Sequence, residues 1–252
     1  MIQVENVRKT LGGQKVLDGI SLTIDQGTMV CLLGMSGAGK TVLLKNMIGL
    51  FQPDEGRVLI DGLDIHRSKG KDLERVRNSV GVLFQGGALF DSMTVYDNLA
   101  FPLREKTNLS EEDIRNRVQE HLEMVEMDGS RKKYPAELSG GMKKRVALAR
   151  MLALSPQTVF FDEPEAGLDP IMSNSILLLI HLLHQKIKFT GVMVTHHFRK
   201  VFQIVQKVAM LHHGKIIAYG EPEDVMKSTN STVAQYMRGV VEGPLEVLQS
   251  GA

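Results

Sequence analysis

The chain has 252 residues, enough for one large domain or for a core domain carrying an inserted smaller one. Its hydrophobic share of 43% and charged share of 23% are those of an ordinary folded protein, and 30 basic against 29 acidic residues leave a formal charge of +1. That balance argues against a nucleic-acid partner, and the basic runs Arg131-Lys132-Lys133 and Lys143-Lys144-Arg145 read as solvated helix faces.

The N-terminus lacks the basic start and apolar stretch of a signal peptide, and no run reaches the ~18–20 apolar residues of a membrane span. The expectation is a cytosolic protein whose membrane role comes through a partner. Residues 2–7 and 17–24 alternate like strands of a half-exposed antiparallel sheet. Met29–Leu33 is a continuous apolar strand of the buried parallel kind, and its Cys31, the single cysteine, reads as an inert core thiol. A Gly-rich turn leads into a helix over 41–50, and 56–62 is a strand ending in a turn. Residues 80–84, 159–161 and 191–194 are further apolar strands, and 176–183 reads as a buried helix face. Between Gly86 and Ser155 the texture becomes charged and helix-periodic, with Ser110 as a cap and acids in the first turn after it. The predicted organisation is an α/β core of residues 1–85 and 156–224, an inserted helical subdomain of 86–155, and a helical tail of 225–252.

Chemistry begins at Gly34-Met35-Ser36-Gly37-Ala38-Gly39-Lys40-Thr41, a full G-x-x-x-x-G-K-[ST] between a strand and a helix. Glycines let the backbone wrap a polyphosphate, and freed amides at a helix start point at the anion. Lys40 would reach the β- and γ-phosphates and the Thr41 hydroxyl would ligate Mg²⁺. Asp162 and Glu163 end an apolar strand, at the edge where α/β folds gather ligands. Asp162 suits Mg²⁺ and Glu163 is a candidate general base for an attacking water. Leu138-Ser139-Gly140-Gly141-Met142 opens a helix over 143–154 and makes a second anion site. One triphosphate does not need two such sites. A second makes sense if Ser139, Gly140 and Gly141 cap the γ-phosphate held by a neighbouring chain.

These residues resemble the ABC-transporter ATPases over nearly the whole length, although the fifth signature residue, usually Gln there, is Met142. The resemblance implies a P-loop NTPase (RecA-like) α/β core with an antiparallel β subdomain and an inserted α-helical subdomain. It implies ATP and Mg²⁺ as cofactors and a homodimer. It makes Gln85 the glutamine that senses Mg²⁺, Asp169 in Ala166-Gly167-Leu168-Asp169 the residue that crosses to the partner site, and His196 the switch histidine at the γ-phosphate. His197 stands where the family often has an acid. Leu11 and Val16 fall where the family covers adenine; Leu11 has no π-face, so preference for ATP is inferred from the family. The pair His212-His213 reads as surface.

The run 84–105, Met142, and Asp162 to Ile171 are similar to the Mla/MCE-type ATPases, which drive phospholipid movement between the inner and outer membranes. That likeness implies a place on the cytoplasmic face of the bacterial inner membrane. The implied partners are an integral-membrane permease (MlaE-like), an MCE-domain substrate-binding protein (MlaD-like) and a small STAS-domain subunit (MlaB-like). A groove over 85–101, with Leu89, Phe90, Met93 and Val95, would seat a helix of the permease or be plain core. Three alternatives stand beside this reading: an importer ATPase for a small polar solute, a non-transport ATPase of the same class, and a nucleotide-binding switch without turnover.

Overall fold

A computed structural model of the chain describes residues 1–195 and 198–245. In chain order the strands are β1 (Ile2–Leu11), β2 (Gln14–Ile24), β3 (Met29–Leu33), β4 (Glu55–Ile60), β5 (Leu63–Asp64), β6 (Val80–Leu83), β7 (Thr158–Asp162), β8 (Thr190–Val194), β9 (Lys207–His212) and β10 (Lys215–Gly220). The helices are α1 (Lys40–Met47), α2 (Gly70–Ser79), α3 (Val95–Lys106), α4 (Glu111–Met124), α5 (Gly140–Leu152), α6 (Pro170–Ile187), α7 (Phe198–Val201), α8 (Pro222–Met226) and α9 (Ser231–Arg238).

Two sheets organise the molecule. One is antiparallel in the order β2-β1-β4-β5, and the other runs β10-β9-β3-β8-β7-β6, parallel except for the β9–β10 hairpin. The central strands β3, β7 and β8 are covered on both faces and almost wholly buried, so they read as near-continuous apolar runs, while the edge strand β10 carries the exposed Lys215 and Tyr219. The pleat then sends alternate residues to different cores. From β3, Met29, Cys31 and Leu33 join helices α3 to α6 in one core. Val30 and Leu32 join α1 and the antiparallel sheet in the other. Phe160 against Val159 and Phe161 repeats the division in β7.

Several boundaries differ from the sequence expectation. The first strand continues to Leu11, while α1 stops at Met47 because Gly49 follows at φ 77°. The helix expected over 143–154 starts at Gly140, capped by Ser139. The acidic start at Ser110 is as expected: its Oγ accepts from the Asp113 amide at 3.1 Å. Among the described residues no helix is long and apolar enough to cross a membrane.

Candidate nucleotide site

The strand-to-helix turn after β3 carries the glycine-rich loop. Gly34 sits at φ 144°, and a Cβ there would lie 2.3 Å from the Leu211 carbonyl oxygen of β9, so only glycine lets the two strands close up. Lys40, 5% exposed, folds back into the loop: its Nζ donates to the Gly34 carbonyl at 2.8 Å and to that of Met35 at 3.0 Å. Burial lowers its pKa, and the facing charge of Glu163 opposes that shift. Burial also pushes the Cys31 thiol far up, in keeping with an inert core thiol.

A cleft of about 390 Å³ opens over the loop, lined by Gln14, Val16, Ser36, Lys40, Thr41 and Glu163. A second of about 380 Å³ adjoins it through Gln14, Val16 and Gly37 and reaches His213 on the β9–β10 turn. A larger cavity, about 520 Å³, lies elsewhere, between α4 and the ends of α5 and α6, and touches no motif residue. Volume alone is a poor guide here. Chemistry points to the smaller cleft.

Asp162 ends β7, half-buried; burial first, and then the charge of Glu163, hold its carboxyl above the usual range, while Lys45 and Lys144 pull it down. Glu163 takes a left-handed backbone conformation, φ 48°, and its amide donates to the Val194 carbonyl at 3.0 Å. The backbone is strained where the acid must turn toward the cleft. The Thr41 hydroxyl and Asp162 carboxylate are hard oxygen donors, and the crowding of Asp162 by Glu163 is a charge excess that a divalent cation would neutralise. They fit Mg²⁺, which takes few protein oxygens and keeps its remaining positions for phosphate and water.

Other predicted residues lie apart. Ser139 is exposed and its Oγ accepts from the Met142 amide at 3.3 Å, so Ser139, Gly140 and Gly141 form a capped helix start away from the cleft of their own chain. Asp169 caps α6, its Oδ1 accepting from the amides of Ile171 and Met172 at 2.9 and 3.0 Å. Gln85 is exposed in the loop after β6, and Leu11 is 38% exposed at the tip of β1; neither lines the cleft. Val16 does. His196 and His197 lie outside the described residues. In the expected permease groove Phe90 is exposed, edge-on to Phe101 at 5.4 Å and under Arg150 at 4.3 Å. Val95 is wholly buried and belongs to the core instead, because α3 packs on α4 and α5 there.

Two features escape sequence reasoning. The run Lys143-Lys144-Arg145 is not a solvated face. Lys144 is 6% exposed and donates to the Gln85 carbonyl, while Arg145 bonds the Val125 carbonyl, Glu126 and Ser175. Glu165 is also buried and accepts from the Thr195 hydroxyl, which ties the turn after β7 to the end of β8. No local pattern announces either contact.

A family model for "ABC transporter" matches residues 17–166. The Mycobacterium tuberculosis "Probable ribonucleotide transport ATP-binding protein mkl" is 41% identical over 97% of this chain and 68% of its own length. The Haemophilus influenzae "Intermembrane phospholipid transport system ATP-binding protein MlaF" is 40% identical over 97% of this chain and 93% of its own. Among solved structures, the dimeric post-hydrolysis state of the ATP-binding cassette MJ0796 bound to ADP and Pi is 30% identical. It covers 88% of this chain and 98% of that one at a TM-score of 0.78. With this fold, this loop and these relatives, the chain belongs to the ABC transporter family as an ATP-hydrolysing subunit.

Proposed function

We propose that the chain powers phospholipid transport between two membranes as one half of an ATPase dimer on a membrane permease. The supporting observation is spatial: the second helix-start anion site, Ser139 to Gly141, lies apart from the cleft that holds Lys40, Thr41 and Glu163. A second copy, head to tail, brings the two together across a nucleotide.

In that arrangement the Gly34–Thr41 amides and Lys40 hold the β- and γ-phosphates, and Lys40 exchanges the Gly34 and Met35 carbonyls for phosphate oxygens. Val16 packs against the base or ribose. Thr41, Asp162 and Gln85 would hold Mg²⁺, which supplies charge neutralisation at the phosphates. Glu163 orients or deprotonates the attacking water, and His196 steadies the γ-phosphate. The partner's signature amides close the site, and Asp169 reaches across to it. Loss of the γ-phosphate removes what both chains grip, so the dimer loosens and the permease resets. The proposed division of domains is the same: residues 1–85 and 156–224 bind nucleotide, 86–155 read it for the partner, and a tail begins at 225, of which residues 246–252 lie outside the described residues.

Phospholipid is favoured by the near full-length match to the MlaF relative, whose name carries that cargo. The system would place the chain on the cytoplasmic face of the inner membrane, with a permease, an MCE-domain protein and a STAS-domain subunit. The mkl relative's name carries ribonucleotides instead, and that is the second reading. Purification of the complex from membranes separates them. Recovery of an MCE-domain protein with bound phospholipid is expected, and recovery of a solute-binding protein overturns the lipid cargo. Within the isolated chain, Glu163→Gln should retain ATP and form a stable dimer; phosphate release equal to wild type sinks the role given to Glu163.

A further inference from the structure

Gly34, buried at the start of the phosphate loop, is gripped from two sides. It packs against the Leu211 carbonyl of β9, and its own carbonyl accepts from the Lys40 ammonium at 2.8 Å. A carbonyl oxygen has two lone pairs. The second is met from the C-terminal helix: the Tyr236 hydroxyl of α9 donates to it at 3.4 Å. The Tyr236 ring also packs on Phe198, with centroids 5.6 Å apart, and Phe198 opens α7 just after His196 and His197. Helix α9 is itself held firmly. Asn230 caps it, accepting from the Thr232 and Val233 amides at 3.0 and 3.2 Å, and Val233 and Met237 are buried in one core with Met29 and Leu33 of β3. Gln235 ties its far end to the segment that follows, donating to the carbonyls of Val240, Val241 and Leu245. Burial raises the pKa of the Tyr236 phenol, so the hydroxyl keeps its proton.

We propose that Tyr236 is a positioning residue for nucleotide binding, its hydroxyl holding the Gly34 carbonyl in place when Lys40 turns to the phosphates. Without nucleotide that carbonyl has two donors. With nucleotide bound the ammonium leaves it, and a buried carbonyl stripped of every donor bears the full cost of its lost hydration. The hydroxyl removes that cost and keeps the loop on its path. The ring adds direction, because packing on Phe198 limits where the hydroxyl can point. A residue of the C-terminal helix thereby acts on the phosphates without touching them. This inference rests on the nucleotide-site reading above.

The test is a mant-ATP titration with Mg²⁺ on the full chain, beside a thermal melt without nucleotide, for wild type, Tyr236→Phe, Phe198→Leu and the double variant. Tyr219→Phe is the control, since it deletes a hydroxyl bonded to the Thr23 carbonyl at 2.9 Å, away from the cleft. Tyr236→Phe keeps the ring and should raise the dissociation constant about fivefold, the size of one lost hydrogen bond, with the melt almost unmoved. Phe198→Leu should weaken binding in the same direction, and little further in the Tyr236→Phe background, because the two act through one contact. Tyr219→Phe should bind as wild type does. An unchanged dissociation constant in Tyr236→Phe overturns the proposal, and a lowered melt beside it makes Tyr236 a packing residue. Equal weakening in Tyr219→Phe overturns it too. Single losses that multiply in the double variant overturn the part given to Phe198. Absence of any mant-ATP binding by wild type would instead bring down the nucleotide-site reading itself.

Discussion

Two of the three hydrogens on the Lys40 ammonium are already taken by loop carbonyls, so its burial is compensated before any phosphate arrives. Lys40→Ala removes those two bonds and the proposed phosphate contact together. Nucleotide affinity should fall at least ~10-fold, a loss of ~1.4 kcal/mol, measured by mant-ATP titration. A different cost is expected at Thr195. Its hydroxyl donates to the buried Glu165, whose Oε2 has no hydrogen-bond partner among the described residues. Thr195→Val takes away a donor from a carboxylate that has few, and about 1–3 kcal/mol should be lost, read from the urea midpoint at unchanged slope. An unchanged midpoint would mean that Glu165 finds another donor. Both side chains lie within one turn of a motif, yet only Lys40 is legible in the sequence. The loop motif is contiguous and its chemistry follows from local backbone. The Thr195–Glu165 bond spans 30 residues and exists only because β7 and β8 are neighbours.

Helix α5 shows how an element can be functionally tight and structurally tolerant. A Cβ on Gly141 would come 2.4 Å from Cε of Met172 on α6, but that atom ends a flexible side chain and can swing away. Gly141→Ala should therefore change stability by less than ~1 kcal/mol in a thermal melt, helped by the better helix propensity of alanine. ATPase activity should fall at least ~10-fold, because the methyl group stands among the amides proposed to meet the partner's nucleotide. A melt lowered as severely as the activity would instead make Gly141 a packing residue. The elements themselves were unevenly legible. The apolar runs of β3, β6, β7 and β8 announced themselves. Helix α2 did not, since only Val76 of its residues is buried and no apolar stripe marks it. Helix α3 carries Pro102, which reads as a breaker. The helix runs through it to Lys106 all the same, and Asn98 ties the segment before the helix to it, accepting from the Phe90 amide and donating to the carbonyls of Phe90, Met93 and Thr94. The β9–β10 hairpin was visible in the sequence only as a histidine pair near a turn. Its function is positional: Leu211 packs its backbone on Gly34 and His213 edges the second cleft.

At the scale of the molecule, the acids at the end of β7 lie between two cores and two lysines, and the fold bears a cost for holding them there. Asp162 has its carboxyl raised by burial and by Glu163. The folded protein therefore binds that proton more tightly than the unfolded chain. The stability this confers is full below the ordinary carboxylate value of 3.8 and is lost as pH rises through the higher folded value. At neutral pH the ionised group is a net burden, in keeping with the role proposed for it as a hard oxygen beside the phosphates. Asp162→Asn removes the like charge next to Glu163 while keeping the shape. In EDTA at pH 7.5 the variant should melt about 1–4 °C above wild type, given the size of the domain. Its ATPase activity should fall at least ~100-fold. Adding Mg²⁺ with a non-hydrolysable ATP analogue should raise the wild-type melting temperature and leave the variant nearly unmoved, since only the wild type binds the pair tightly. The gap measured in EDTA should then close or reverse. A variant that melts below wild type in EDTA would show that Lys45 and Lys144 outweigh burial and Glu163, and that the acidic end of β7 stabilises the fold before any cation binds.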